Sequence, residues 1–361
     1  MNNGNTFIKI YNDFTRNLLA NYSAGKNNLV LSPFSILVLL CMAADSTDSK
    51  TREEVIRVFC KDQPYDDIRK TVIELSGKLS EDDVISIANA LCVNETIKDS
   101  IKEEFKRQLV SNYNSEIFAS KSIVDDVNRW VKEKTKGMIE KLADKSMENA
   151  LACLMNAICF EAEWEEQYEE DDIYEDEFHN ADGTISEVEM LNSSEYEYIN
   201  TEEYEGFVKP YKGNKYSYMA LLPKNESDDV LSSLLPSIDL SRIYEGRQNR
   251  ELRVEMPEFR YDFSEDLTKY LEGLGMTKIF TPGADFSPMT DEWIQANGII
   301  HKAHIEVDRK GTKAAAVTAM IEMLGLPDLD MPFITLNRPF IYAIIHNETG
   351  LPVFAGITAK I

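Results

Sequence analysis

The chain has 361 residues, of which 63 are acidic and 38 are basic, so its formal net charge is −25. This charge argues against nucleic acids and anionic membranes as partners, because both repel an acidic protein. The 43% of hydrophobic residues can fill the core of one large domain, and no linker, low-complexity tract or internal repeat divides the chain. We therefore expect a single domain over residues 1–361.

Helices are predicted for most of the first third of the chain. The dipeptide Ser32-Pro33 is typical of a helix start, and the apolar residues 36–44 behind it predict a buried helix. Residues 51–54 (TREE) have the pattern of a capping box and predict the start of another helix. Residues 124–142 predict a helix that is interrupted near Gly137.

Strands are predicted further along the chain, and they do not alternate regularly with helices. The predicted strands are residues 84–93, 151–160, 206–222, 253–263, 334–346 and 351–358, the last two joined by a turn at 347–350. This irregular order indicates mixed sheets of the α+β class.

An acidic segment lies between the second and third predicted strands. Residues 161–177 hold eleven carboxylates in seventeen positions. A calcium site is conceivable there, but the segment lacks the alternating Asp/Asn positions and the central glycine of an EF-hand loop. We expect a solvated acidic connection and no metal site.

The cysteines and the amino terminus bear on the compartment. Five cysteines lie mostly in apolar runs, and an odd number without paired spacing indicates buried thiols in a reducing setting. The chain starts without a cationic, apolar leader and holds no stretch near the ~20 apolar residues of a membrane span. The cytoplasm is the default expectation. A trimmed secretion signal would leave the same start, and five N-x-Ser/Thr sequons keep secretion open.

A run of small residues near the carboxyl end is able to change conformation. It comprises Gly311, Thr312, Lys313, Ala314, Ala315, Ala316 and the uncharged residues that follow. It contains no proline that would block ladder hydrogen bonds. As a strand, it would place Thr312 and the even-numbered alanines on one face and Lys313 on the other. An ordinary strand or an alanine-rich helix are the alternatives.

Eight motifs in chain order carry a resemblance to a known family. They begin at Asn28 (NLVLSPFSI), Ser86 (SIANAL), Leu154 (LMNAICF, with Trp164 beyond), Pro210 (PYKG), Leu271 (LEGLGM), Asp285 (DFSPM), His301 (HKAHIEV) and Asn337 (NRPF, with FAG from Phe354). Together they resemble the serpin family of protease inhibitors along nearly the whole chain. The resemblance implies a serpin fold with three β-sheets, eight or nine helices and an exposed reactive-centre loop at about residues 309–332.

The resemblance also assigns three groups of residues to the movement of that loop. The hinge is the start of the loop, the shutter is a buried polar cluster under the centre of the main sheet, and the breach is the top of that sheet. The hinge comprises Gly311, Thr312, Lys313, Ala314, Ala315 and Ala316; the shutter comprises Ser32, Ser35, Asn156 and His301; the breach comprises Trp164, Glu258 and Arg309.

Two positions of the breach depart from the family pattern. Serpins commonly carry an acid two residues before the hinge glycine and often a base after the proline of a facing strand. This chain has Arg309 and Glu258 there, so we expect one ion pair with exchanged polarity. The alternative is two unrelated surface charges.

The histidine pair His301 and His304 has the H-x-x-H spacing of some zinc sites. Residues three apart on a strand point to opposite faces, so the two are not expected to share a metal. The chain also lacks a G-x-S-x-G elbow, a P-loop and a dinucleotide fingerprint, which argues against an enzyme, and no cofactor is expected.

The resemblance implies a monomeric suicide-substrate inhibitor that forms a covalent acyl-enzyme with a target protease. Family spacing from Gly311 places the scissile bond at Gly325-Leu326, with Leu324-Gly325 as the alternative. Glycine favours elastase-like proteases and leucine favours chymotrypsin-, cathepsin- or subtilisin-like ones, while cysteine proteases are a further class. Residues 314–332 contain no Arg or Lys, which disfavours trypsin-like targets.

Two other expectations concern partners and the rival function. Residues 64–78 mix acidic and basic side chains, so a heparin-like activator is not expected. The alternative function is a non-inhibitory serpin that acts as a chaperone, carrier or storage protein. Such members tend to carry charged, bulky or proline residues in the hinge, unlike the three alanines here.

Overall fold

The computed structural model describes residues 2–21, 27–61, 63–227, 230–296, 298–312 and 331–361. These residues contain nine α-helices and five short 3₁₀ turns. The α-helices are α1 Asn2–Asn21, α2 Pro33–Ser46, α3 Ser49–Cys60, α4 Tyr65–Ser80, α5 Glu103–Tyr113, α6 Ile123–Lys134, α7 Val230–Leu234, α8 Leu240–Glu245 and α9 Thr268–Gly273. The 3₁₀ turns are Lys98–Ser100, Lys145–Met147, Glu170–Asp172, Leu235–Ser237 and Lys278–Phe280.

Sixteen strands occur in the same part of the chain. They are β1 Leu29–Leu31, β2 Ile85–Asn94, β3 Glu116–Ser120, β4 Ala152–Phe160, β5 Ala162–Glu163, β6 Ile173–His179, β7 Ile185–Asn200, β8 Tyr204–Pro210, β9 Tyr216–Pro223, β10 Gln248–Pro257, β11 Phe259–Asp266, β12 Ile300–Val307, β13 Gly311–Thr312, β14 Phe333–Thr335, β15 Phe340–His346 and β16 Leu351–Thr358.

The described strands form four hydrogen-bonded groups. The largest runs in the order β1-β16-β15-β9-β8-β7-β10-β14, and β6 adds to β7. The others are β3-β2-β4, β13-β5 and β11-β12. The β10–β14 and β2–β3 pairs are parallel and the other described pairs are antiparallel. Mixed sheets beside unevenly spaced helices confirm the predicted α+β class.

The chain divides into two compact units, each assembled from three stretches of sequence. The first comprises Met1–Tyr11, Phe34–Phe160 and Ser264–Ala303, and the second comprises Asn12–Pro33, Glu161–Phe263 and His304–Ile361. The chain passes repeatedly from one unit to the other, so no single linker separates them. The single domain expected over residues 1–361 stays a prediction.

Each unit has its own sheet. In the first, α6 packs the apolar face that contains Val127, Trp130 and Val131 onto β2 and β4. In the second, every residue of β15 and β16 is buried, as expected for strands covered on both faces. No described helix is long and apolar enough to cross a membrane.

The helix predictions are confirmed in outline and wrong in two details. Helix α6 ends at Lys134, so the predicted helix does not continue past Gly137 to residue 142. Helix α2 begins at Pro33 and is buried along almost its whole length, as expected. The capping box predicted at residues 51–54 is absent, because α3 begins earlier, behind Asp48. The carboxylate of Glu54 instead accepts hydrogen bonds from the backbone N–H groups of Thr277 and Lys278. Glu54 therefore makes a tertiary contact and does not cap the helix.

The acidic segment is the largest error in the strand predictions. Residues 161–177 are not simply a connection, because they contain β5 and most of β6. Strand β6 pairs with β7, a sixteen-residue strand that the sequence reading missed. Charged residues are depleted in strands, so the acidic composition concealed both elements. The predicted strands 206–222, 253–263 and 334–346 are each two strands.

Candidate functional site

The hinge begins as a short strand beside β5. Gly311 and Thr312 pair antiparallel with Glu163 and Ala162, respectively. Gly311 has a φ of +150°, and a Cβ atom at this position would lie 2.2 Å from the carbonyl oxygen of Ala162. Glycine is required because only a residue without a side chain allows the two backbones to approach so closely.

The side chain of Thr312 points into the protein. It is 4% exposed, and its hydroxyl lies 2.8 Å from the hydroxyl of Tyr211. The Tyr211 ring stacks on the indole of Trp164, with centroids 4.5 Å apart and an angle of 10°. Burial raises the pKa of Tyr211, which therefore stays protonated. Thr312 thus lies on a buried face.

Trp164 and Tyr168 donate hydrogen bonds to the three residues that precede the hinge. The indole Nε1 of Trp164 donates to the carbonyl oxygen of Asp308 at 2.9 Å, and its backbone N donates to that of Lys310 at 3.0 Å. The backbone N of Tyr168 donates to the carbonyl oxygen of Arg309, also at 3.0 Å. All three consecutive carbonyl groups are therefore hydrogen-bonded, which fixes the direction in which the hinge leaves.

The carboxylate of Asp308 closes the turn before the hinge. Its Oδ1 accepts hydrogen bonds from the backbone N of Lys310 at 2.8 Å and of Gly311 at 3.0 Å. Burial raises the pKa of Asp308, the two amide donors oppose this shift, and the nearby charges of Glu258 and Glu306 add to it.

The ion pair expected between Arg309 and Glu258 is present. Arg309 Nε donates to Glu258 Oε1 at 2.9 Å, and Arg309 Nη2 donates to Glu189 Oε2 at 2.8 Å. The backbone N of Arg309 also donates to Glu258 Oε1 at 2.9 Å. The hydrogen bond to Glu258 raises the pKa of Arg309. The side chains of Arg309 and Glu258 are 35% and 21% exposed, so the pair contributes only ~1 kcal/mol or less to the free energy of unfolding.

A buried ion pair beside the breach was not predicted. Lys209 Nζ lies 2.7 Å from Glu195 Oε1, and the side chains are only 4% and 6% exposed. The ammonium group also lies over the rings of Tyr168 and Trp164, 4.6 Å and 5.6 Å from their centroids. Burial alone would lower the pKa of Lys209, but Tyr168 and Glu195 outweigh it and raise the pKa. The available signal was a lysine within a predicted strand.

Two of the shutter residues belong to a chain of neutral hydrogen bonds in the first unit. The hydroxyl of Ser35 donates to Asn156 Oδ1. Asn156 Nδ2 donates to Asn89 Oδ1 at 2.6 Å, and Asn89 Nδ2 donates to the carbonyl oxygen of Tyr113 at 2.7 Å. Asn89 was missed as a site residue, although it stands in the SIANAL motif and faces Asn156 in the β2–β4 register. We refer to Ser35, Asn156 and Asn89 as the polar chain.

The other two shutter residues are buried in different surroundings. Ser32 belongs to the second unit, where its hydroxyl donates to the carbonyl oxygen of Val353 at 2.9 Å. His301 is buried in the first unit, and burial lowers its pKa to about 4, so the ring is neutral at pH 7. Assignment of all four residues to one shutter stays a prediction.

The two histidines of the H-x-x-H pair point to opposite faces of β12, as predicted. Burial alternates along this strand, with His301 on the buried face, and His304 Nδ1 lies 2.7 Å from Asp262 Oδ1. Within the residues that the structure describes, no group of three or more His, Cys, Asp or Glu side chains could hold a metal ion.

The remaining predicted site residues lie outside the described residues. These are the hinge residues Lys313, Ala314, Ala315 and Ala316 and the residues of both alternative scissile bonds, Leu324, Gly325 and Leu326.

Comparisons with known proteins agree with this arrangement. The family model "Serpin (serine protease inhibitor)" matches residues 9–361. The native-state structure of the thermophilic serpin tengpin is 33% identical, with 98% of this chain and 94% of that chain covered and a TM-score of 0.89. Its latent-state structure is 31% identical, with 99% and 98% covered and a TM-score of 0.83.

Relatives of known organisms are similar to this chain over most of its length. Plasminogen activator inhibitor 1 of Neovison vison is 31% identical over 352 residues, with 91% of this chain and 86% of the relative covered. An uncharacterized serpin-like protein of Thermococcus kodakarensis is 27% identical, with 97% and 84% covered. The family match over nearly the whole length, the α+β fold and the hinge strand at Gly311 lead to one conclusion: the chain belongs to the serpin family.

Proposed function

We propose that this serpin is inhibitory and acts as a suicide substrate of serine-type endopeptidases. The observation that carries the proposal is the β13–β5 pairing: the hinge starts as a strand, with Thr312 buried and Gly311 allowing close backbone contact. The sequence continues this start with three alanines, each of which keeps the backbone N–H that ladder pairing needs. A cleaved loop can therefore lengthen β13 residue by residue.

The free energy of such an insertion is large enough to distort a trapped enzyme. About a dozen newly paired residues at ~1 kcal/mol per net hydrogen bond, with ~25 cal/mol for each Å² of buried apolar surface, give on the order of 10–20 kcal/mol. An ordinary domain is stable by only ~5–15 kcal/mol. A shift of about an ångström in the oxyanion hole would then stop deacylation, because its donors no longer face the developing charge.

The target class is proposed from the loop sequence. Cleavage at Gly325-Leu326 suits elastase-like proteases with a small specificity pocket, and cleavage at Leu324-Gly325 suits chymotrypsin- or subtilisin-like ones. Efficient complexes with trypsin are not expected, because no basic residue lies between Ala314 and Pro332.

A panel of elastase, chymotrypsin, subtilisin and trypsin tests the proposal. We expect an SDS-stable covalent band with at least one of the first three enzymes, and none when the same enzyme is first blocked at its active serine. Mass spectrometry of the released fragment should give a new amino terminus at Leu326 or Gly325. Cleavage in the loop by all active enzymes without any stable band would instead identify a non-inhibitory serpin.

A further inference from the structure

Two of the five cysteines face each other across the three-stranded sheet of the first unit. Cys92 on β2 lies directly opposite Cys153 on β4 in the antiparallel register. The backbone N of Asn94 donates to the carbonyl oxygen of Leu151 at 2.8 Å, which makes that opposing pair a hydrogen-bonded one. Hydrogen-bonded pairs recur every second position, so Cys92 and Cys153 also form one, with Cα atoms ~5.5 Å apart. Disulfides span Cα separations of ~4.4–6.8 Å.

The two cysteines border one apolar cluster, Cys92 buried and Cys153 partly buried. Cys92 belongs to the apolar cluster around Val127 and Trp130, and Cys153 packs against the same cluster. Two causes raise the pKa of Cys153: burial, which is the larger, and the charge of Cys92. The second cause is expected when two thiols lie close together. All five cysteines lie in the described residues as thiols, and Cys159, on the same strand as Cys153, faces a serine instead.

One of the two cysteines lines a cavity. Cys153 lines a cavity of about 190 Å³ whose walls are mainly apolar and belong entirely to the first unit. An engineered cavity of ~150 Å³ with similar walls is known to admit benzene, so a small molecule can enter this one. A peroxide molecule is much smaller, whereas a bulky disulfide reagent would not fit.

We propose that Cys92 and Cys153 are a modification site, a dithiol pair that hydrogen peroxide oxidises to a reversible disulfide across the sheet. The thiolate of Cys153 attacks one peroxide oxygen, the O–O bond breaks, and a sulfenic acid forms as the leaving hydroxide takes up a proton to become water. The sulfur of Cys92 then attacks the sulfenic sulfur and displaces the hydroxyl group, which leaves as water with the proton of the Cys92 thiol. Two thiols and one peroxide give one disulfide and two waters.

Burial controls the rate of this reaction, and the strand geometry controls its reversibility. Burial is the main cause that raises the pKa of Cys153 and of Cys92 to about 12, so few molecules hold a thiolate at pH 7. At Cys92 the charge of Asp126 adds to this shift, and a hydrogen bond with Ser120 opposes it. The oxidation rate should rise about tenfold per pH unit below pH 10. Opposite Cβ atoms lie up to ~5.5 Å apart and a disulfide needs ~3.8 Å, so the strands must approach and the strained bond is readily reduced.

The test is mass mapping of the intact protein after exposure to hydrogen peroxide between pH 7 and pH 9. We expect loss of two of the five thiols, a cross-linked peptide pair containing Cys92 and Cys153, and full recovery with dithiothreitol. The oxidised protein should unfold at a temperature ~2–4 °C higher or more, because the disulfide closes a long loop.

Variants on one strand provide the control. Cys153→Ala should abolish the cross-link, and Cys159→Ser should leave it intact. If Cys153 is converted to sulfinic acid while Cys92 remains alkylatable, the proposal is wrong. It is equally wrong if the cross-link joins another pair, or if all five thiols survive prolonged exposure at pH 9.

Discussion

The surroundings of the hinge and the polar chain of the first unit hold their strands by different chemistry. Beside Gly311, the contacts involve charges and aromatic rings, such as Arg309 between two carboxylates and Trp164 on the backbone of Asp308. In the polar chain every side chain is neutral. Salt screens partly exposed ion pairs but changes neutral hydrogen bonds little. The hinge should therefore respond to charge reversal and salt, and the polar chain to the loss of hydrogen-bond partners.

The largest effect is expected from Thr312→Arg. Thr312 is almost fully buried against Tyr211, so an arginine there would bury an unpaired charge at a cost on the order of several kcal/mol. Strand β13 should leave β5, insertion should slow, and the protein should be cleaved as a substrate. We expect at least a tenfold lower yield of SDS-stable complex per cleavage event.

Thr312→Val is the matched control for the arginine variant. It keeps the shape of the side chain and removes only the hydroxyl, which should cost ~1 kcal/mol and leave most of the inhibition. Equal losses from valine and arginine would show that the hydroxyl, not burial of the face, is what matters.

Acid should weaken the first unit through His301. Its pKa is about 4 in the folded protein and ~6.5 in the unfolded chain, so the unfolded state binds more protons between these values. The stability is retained above pH 6.5 and lost as the pH falls toward 4. The free energy of unfolding should decrease by about 2 kcal/mol between pH 7 and pH 5. Urea unfolding of the wild type and His301→Gln at both pH values measures this loss, which the variant should lack. Replacement of His179, which is exposed on β6, serves as the matched control.

Removal of one member of the polar chain should destabilise the protein by ~1–3 kcal/mol. Asn156→Ala takes away the acceptor of Ser35 and the donor to Asn89, which leaves their polar groups without these partners. Asn89→Ala should have a similar effect, and the double variant should lose clearly less than the sum of the two single losses. Strict additivity in urea unfolding would mean that the two amides are not coupled.

The smallest effect is expected from reversal of the ion pair at the breach. Arg309→Glu places a third carboxylate beside Glu189 and Glu258 and should cost ~1 kcal/mol, or roughly a fivefold faster conversion to latent or polymeric forms on mild heating. Native gels would follow this conversion. Adding Glu258→Arg should restore the monomer at low salt, and 0.5 M salt should reduce the difference. A double variant no better than the single one would contradict a mutual pair.

Part of the site could be predicted because the signals were local. Alternation along the hinge assigned Thr312 to the face that enters the sheet on insertion, and in this structure Thr312 is already buried beside β5. The exchanged charges at Glu258 and Arg309 indicated a pair that is present. Each of these two predictions required only a short sequence pattern and its comparison with the family arrangement.

The remainder depended on register between distant segments. Asn89 meets Asn156 only because β2 and β4 pair in one register, and nothing near Lys209 in the sequence identifies Glu195 as its partner. The same reason explains the failed capping box, where Glu54 binds backbone groups more than two hundred residues away. Local patterns cannot predict such competition between a nearby and a distant partner.

The stacking of Trp164 on Tyr211 gives the hinge its own optical reporter. The chain has three tryptophans, and Trp293 is 89% exposed, so a water-soluble quencher will suppress its emission first. The remaining fluorescence comes from Trp130, buried against the sheet of the first unit, and from Trp164, whose indole donates to the backbone just before the hinge. A change in the unquenched emission during a reaction with a protease, if it is lost in a Trp164→Phe variant, would therefore time the movement of the hinge without any attached dye.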